Sequence, residues 1–249
     1  GIMLRDFAVQ NIRHLGIEPS KNVAEAARAT GVNTICEFFS EDVATEIVLE
    51  HGQADALLAA NVMCHIPDLT GVANGAQALL KPRGVLVFED PYLGDVVEKT
   101  SYDQIYDEHV FVFCALSVAN AFGRHGFELV DVEPQITHGG SMRYTLAKKG
   151  AKKPSKAVAL LISKETELGL DRVKTFDTFR ENCETSRDQL IAVLNDLRER
   201  GAKVAGYGAT SKSTTVITYC GITENHIAFI SDTTPTKQGK FSPGAHVPI

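Results

Sequence analysis

The stretch ADALLAANVMCHIPDLTGVANGAQALLKPRGVLVFED, from Ala54 to Asp90, decides the fold class. An apolar strand, Ala54–Ala60, is followed by a turn at Pro67–Asp68 and a helical pattern over Val72–Leu80. Pro82 and Gly84 then break the helix and release a second strand at Val85–Glu89. Strand, crossover helix and strand in that order make the repeating unit of a parallel sheet.

The alternation continues on both sides. Upstream, a helical pattern at Leu4–Ile12 leads to a short strand ending in GIEPS, then to a helix at Val23–Arg28 and a strand at Thr34–Phe38. Ser40, followed by acidic residues, is a suitable N-cap for a helix running toward Leu49. Downstream, a helix at Leu116–His125 closes at Gly126, and strands Glu128–Val132 and Met142–Ala147 flank the pair Gly139–Gly140 as an antiparallel hairpin. The Lys-rich stretch Lys148–Pro154 marks a boundary. Residues 1–150 are therefore expected to form one α/β domain, 151–200 a helical linker carried by the Ala157–Arg200 pattern, and 201–249 the start of a second Rossmann-like unit. That unit reads as strand Lys203–Tyr207, loop GYGATSKS, a helix to Tyr219 and strand His226–Ser231.

Composition excludes several classes. Of 249 residues 44% are apolar and 22% charged, which fits an ordinary globular chain and not a disordered or fibrous one. A net charge of −6 without a basic stripe gives nothing for nucleic acid to bind. Asp55, Asn61 and His65 interrupt the most apolar segment, which falls short of the ~20 residues that span a bilayer. Five dispersed cysteines without a C-x-x-C pair read as reduced core thiols of a cytoplasmic protein.

In sheets of this kind ligands lie at the carboxyl ends of the strands. Glu18 in LGIEPS, and Asn61 and His65 after the next strand, occupy such ends. Each also fits a plain structural role, Glu18 as an exposed turn carboxylate before Pro19 and His65 as a hydrogen-bonded structural residue. The string YDQIYDEHVF is more telling, because Tyr106, Glu108 and His109 place a phenol, a carboxylate and an imidazole within four positions. A carboxylate beside His109 would orient it and raise its basicity, and Tyr106 could donate to a developing oxyanion. THGGSMR adds His138 and Arg143, the latter suited to phosphate or carboxylate. GYGATSKS puts Gly208, Thr210, Ser211 and Lys212 at a helix N-terminus, where free N–H groups can hold phosphate.

Taken together, GIEPSKNVA, FFSEDVA, ADALLAANVMCHIPDL, LLKPRGVLVFEDPYL, IYDEHVF, HGGSMR and GYGATSKSTT resemble the S-adenosylmethionine-dependent sugar C-methyltransferases over essentially the whole chain. The resemblance implies a Rossmann-like class I methyltransferase sheet, a helical linker and part of a second Rossmann-like domain. It implies a nucleotide-linked keto-deoxysugar as substrate. Glu18 would hold the cofactor ribose, Phe39, Asn61 and His65 would line the cleft, and His109 would be the general base with Tyr106 and Glu108 beside it. His138, Arg143, Gly208, Thr210, Ser211 and Lys212 would face the substrate. Asp107 stands where the family pattern has His. The family's cysteine-rich zinc module and its first strand with a glycine-rich loop do not occur in this stretch, so a fragment with an open slot at the sheet centre is expected, and zinc is expected only in such a module. Two rival readings are a nicotinamide-dependent oxidoreductase built on the GYGATSKS half and a non-catalytic nucleotide-binding module. Oligomeric state is not encoded in any of these motifs.

Overall fold

The fold was obtained as a computed structural model that describes residues 1–249. Its main sheet has four strands in the order β3 (Ala54–Ala60), β4 (Leu80–Pro91), β6 (Ser141–Lys148), β5 (Phe127–Gln135). β3 and β4 run parallel, while β6 is antiparallel to both β4 and β5, as the hairpin reading of 128–147 anticipates. The helix between β3 and β4, α4 (Leu69–Leu79), starts earlier than the hydropathy pattern indicated. Asp68 accepts from the Gly71 amide and caps it there.

β1 (Gly16–Ile17) and β2 (Thr34–Ile35) pair in parallel as a separate two-stranded sheet with no ladder to β3. The far side of β3 is left as an edge, on which Leu58 is 39% exposed. Across this division lies α3 (Glu41–His51). Its Ala44 and Ile47 bury against Ile17 and Ile35 on one side and Ala54, Leu57 and Leu79 on the other. Ser40 Oγ accepts from the Val43 amide to begin α3. α3 and α4 approach closely because position 75 is glycine: a Cβ there would sit 2.8 Å from the Ser40 carbonyl oxygen. α1 (Ile2–Val9) buries no residue, and α2 (Lys21–Ala29) buries Ala24 and Ala27.

One face of the main sheet carries the large core. Leu86, Phe88, Tyr144 and Leu146 pack against Val72 and Ala76 of α4 and Val118 and Phe122 of α6 (Ala115–Gly123). α7 (Lys156–Leu168) joins the same core through Val158, Leu161 and Ile162. It also supplies Glu165, which is wholly buried: Oε1 accepts from the Ala115 amide and Oε2 from the Leu116 amide, both at 2.8 Å. A carboxylate at a helix N-terminus meets unpaired donors and the positive end of the helix dipole, so its burial is compensated. This makes α7 part of the first unit's core, where the sequence pattern suggested only a linker.

The helical pattern from Ala157 to Arg200 is two helices. Gly169, in the left-handed region at φ 70°, ends α7, and α8 (Val173–Glu199) follows. Leu194 near the end of α8 packs with Ile217, Ile222, Ile227, Ile230 and Val247 in a second core. That core holds β7 (Gly206–Tyr207), α9 (Ser211–Tyr219) and β8 (Ile230–Ser231), with β7 and β8 parallel. Its strands are much shorter than the apolar runs at 203–207 and 226–231 suggested. α5 (Leu93–Glu98) lies between β4 and the YDQIYDEHVF segment. No helix is long and apolar enough to cross a membrane.

Candidate active site

Two turns bring the central residues together. After β3, Asn61 adopts a left-handed conformation at φ 52°, while its amide still donates to the Glu89 carbonyl at 2.7 Å. The 3-10 turn Met63–His65 follows, with Met63 and Cys64 buried and His65 half-buried. The second turn spans Tyr102–Gln104, and its Gln104 is only 2% exposed. Gln104 Nε2 donates to the His138 carbonyl at 2.6 Å, and the Gln104 carbonyl accepts from His109 Nδ1 at 2.7 Å.

That last bond fixes the Nδ1 hydrogen of His109. A carbonyl only accepts, so Nδ1 carries a hydrogen, and in the neutral ring Nε2 holds the lone pair. Tyr106 Oη donates to Nε2 at 2.8 Å, and the two rings lie 4.1 Å apart at 34°. His65 is fixed in the same manner, its Nδ1 donating to the Glu108 carbonyl at 2.7 Å, with its ring 5.1 Å from that of His109. Burial pushes the His109 pKa below its ordinary value; the Gln104 carbonyl opposes this, and the fields of His65, Lys212 and His138 reinforce it. The ring is held neutral. Burial raises Tyr106, helped by Cys64, Glu108 and Asp103, and keeps it a phenol.

His138 lies in the turn between β5 and β6, left-handed at φ 54°. Its Nδ1 is 3.3 Å from Lys212 Nζ of α9, so the second unit delivers a cation to the edge of this cluster. Burial and then Lys212 lower the pKa of His138, and burial lowers that of Lys212. Gly140 beside this turn has φ 143°, and a Cβ there would collide with the Asp95 carboxylate. Tyr102 continues the seam, its ring 5.1 Å from Tyr219 and its Oη 3.5 Å from Cys220 Sγ.

Other expected site residues are placed differently. Glu108 is exposed and its carboxylate does not reach His109; its main-chain carbonyl orients His65 instead. The group that orients His109 is a carbonyl, that of Gln104, and the reading of Glu108 as orienting base partner is corrected accordingly. Arg143 is already neutralised, by Glu89 at 2.9 Å and Glu133 at 3.2 Å, which removes the free guanidinium expected for an anion. Phe39 packs against α4 at Gly75 and into both neighbouring cores, while the adjacent Phe38 is the ring left 77% exposed.

In the GYGATSKS loop, Thr210 Oγ1 accepts from the Ser213 amide and Ser213 Oγ from the Thr210 amide, so both hydroxyls serve as a cap. The Ala209 amide donates to Asp232 at 2.7 Å. The Thr234 and Ala209 amides hold the Asp232 carboxyl well below the usual carboxylate range. Gly208 is left-handed at φ 90° and its amide is spent on the Ser231 carbonyl. Ser211 begins α9, and Lys212 alone of this group reaches the histidine cluster.

Glu18 ends β1, where its amide donates to the Ile35 carbonyl and its Oε1 accepts from the Ser20 amide. Its Oε2 makes no bond, and a carboxylate oxygen free at the carboxyl end of a parallel strand suits ribose hydroxyls. Three groups had no prior signal: Gln104, Cys64 and Asp90. The Asp90 carboxylate is fully buried and neither oxygen has a donor in hydrogen-bonding geometry. Burial pushes its pKa up to about 6, against the partial help of Cys64 and the Val62 amide nearby.

The chain matches known families over nearly its whole length. Residues 1–132 match the model of a methyltransferase domain and residues 136–249 that of a C-methyltransferase C-terminal domain. The chain belongs to the S-adenosylmethionine-dependent C-methyltransferase family. It is 35% identical over 250 residues to the C-methyltransferase NovU of Streptomyces niveus, covering 100% of this chain and 60% of that protein. Among solved structures, a SAM-dependent methyltransferase from Anabaena variabilis is 17% identical over 60% of this chain and 73% of its own, with a TM-score of 0.46. Magnesium protoporphyrin IX methyltransferase from Synechocystis is 11% identical over 60% of this chain and 65% of its own, with a TM-score of 0.42.

Proposed function

We propose that the protein transfers a methyl group from S-adenosylmethionine to a carbon next to the ketone of a nucleotide-linked keto-deoxysugar, with His109 as the base. The carrying observation is His109 itself: neutral, locked by Gln104 with its lone pair on Nε2, and backed by a phenol at 2.8 Å. A base must reach its proton unprotonated, and a hydrogen α to a ketone is acidic enough only if the enolate oxygen is stabilised as it forms.

In this reading Nε2 takes the α-hydrogen, the C–H electron pair becomes the enolate, and the proton remains on Nε2. Tyr106 must leave Nε2 for this, and its hydroxyl turns to the enolate oxygen. Lys212 and His138 lie beside the same site and favour the developing negative charge. S-adenosylmethionine, when bound, supplies the electrophilic methyl. Glu18, through its free carboxylate oxygen, would hold its ribose, and Asn61 and His65 would border the cofactor; a cavity of about 450 Å³ lies beside His65, Asp107, Glu108 and Val110. The substrate diphosphate would meet the Lys212 ammonium and the Ser211 and Lys212 amides at the start of α9, which the cap leaves free.

The test separates base from methyl donor. The intact protein is incubated with nucleotide keto-sugars in deuterated water without S-adenosylmethionine, and exchange of the α-hydrogen is followed by mass spectrometry. His109→Ala should abolish both exchange and methylation while cofactor binding persists. Methylation at the wild-type rate in that variant removes His109 from the mechanism.

A further inference from the structure

We propose that Cys64, His65 and His109 form a binding site for a thiophilic divalent cation of the zinc class. One ligand atom from each lies within 4.8 Å of the other two. Both imidazoles donate Nδ1–H to a main-chain carbonyl, His65 to Glu108 and His109 to Gln104, each at 2.7 Å. Protein metal sites orient their histidines in this way, fixing the tautomer and leaving Nε2 as donor to the metal. Here two such rings lie 5.1 Å apart. The lone pair of His109 is met by Tyr106, but no donor meets that of His65.

Cys64 adds a sulfur. One thiolate with two imidazoles is a donor set that selects Zn²⁺ over hard cations such as Mg²⁺ or Ca²⁺, and three protein ligands leave a fourth position open. On binding, the metal takes the lone pairs of the two imidazoles and the sulfur. The thiol proton goes to solvent and Tyr106 is displaced from Nε2. If His109 is the base, as proposed above, metal occupancy and proton abstraction exclude each other; that consequence rests on the functional reading, whereas the site does not.

The test needs no turnover. The chain, stripped by chelator, is titrated with CoCl₂ and then ZnCl₂, followed by absorbance. The wild-type chain should develop a thiolate-to-cobalt charge-transfer band saturating at one equivalent, bleached by Zn²⁺. Cys64→Ala should abolish the band, His65→Ala should weaken binding by roughly tenfold or more, and Cys36→Ser should change neither. A wild-type chain without the band, or a band that survives in Cys64→Ala, overturns the proposal. If Cys64→Ala fails to fold, Cys64→Ser, which keeps the side-chain volume but offers no thiolate, takes its place and should likewise lack the band.

Discussion

Replacing Tyr106 by phenylalanine removes one oxygen and leaves the rest of the cluster in place. The ring contact with His109, 4.1 Å between centroids, does not involve the hydroxyl, so the imidazole stays where Gln104 holds it. Tyr106 is half-buried, and the loss of one such hydrogen bond costs about 1 kcal/mol of stability at most. Chemistry should suffer far more, since a preorganised donor to a developing oxyanion is worth roughly 10²–10³ in rate. A second effect has a definite sign. The hydroxyl donates to the lone pair of Nε2 and so favours neutral His109; without it the imidazole pKa rises, though burial and its positive neighbours still hold it down. The acid limb of kcat/KM against pH should therefore move to higher pH. Methyl transfer by the intact protein across the pH range reads the first effect, and imidazole NMR of His109 reads the second without substrate. A rate within about threefold of wild type would contradict the oxyanion role of Tyr106, and a limb moving to lower pH would contradict the assigned tautomer.

Lys212→Met, which removes the cation next to His138, should raise KM for a nucleotide substrate roughly tenfold or more, in keeping with the 1.5–3 kcal/mol of a charged hydrogen bond, while NMR shows the His138 pKa rising; an unchanged KM argues against diphosphate binding there. Glu165→Ala strips the α6 N-terminus of both its acceptors and should lower stability in urea by about 4 kcal/mol, two charge-assisted bonds' worth; a loss below about 1 kcal/mol would mean that water replaces the carboxylate. Asp232 titrates below its unfolded value, so its stabilisation is present above the ordinary aspartate pKa and is lost as pH falls through the folded one. Asp232→Asn should accordingly be less stable than wild type at neutral pH and converge with it in strong acid; a constant gap in thermal melts at all pH values refutes the linkage.

Local periodicity carried much of the fold. The alternation from Ala54 to Asp90 makes a strand, a helix and a strand wherever it occurs, and Ser40 caps α3 through its own hydroxyl. What escaped depended on pairing or on the main chain. Register places Glu89 opposite Arg143, and only that register reveals that the guanidinium is neutralised. The carbonyl that orients His109 belongs to Gln104, but every residue has a carbonyl, so no side-chain pattern marks it out. Gly169 divides the long helical stretch from within a run that remains helix-forming on both sides. Glu165 reads as a surface helix residue until α6 is seen to begin against it.

The same reasoning explains why the reactive cluster sits at a seam. His109 is buried enough to lose its charge, yet its neighbours come from four separated segments: the turn after β3, the Tyr102–His109 segment, the β5–β6 turn and the start of α9. No single segment could supply this environment, because a turn buries too little surface to shift an imidazole by itself. Lys212 is the contribution of the second unit, and it acts on both His138 and His109 in the direction that keeps them neutral. The basicity of His109 is thus set in part by where α9 lies.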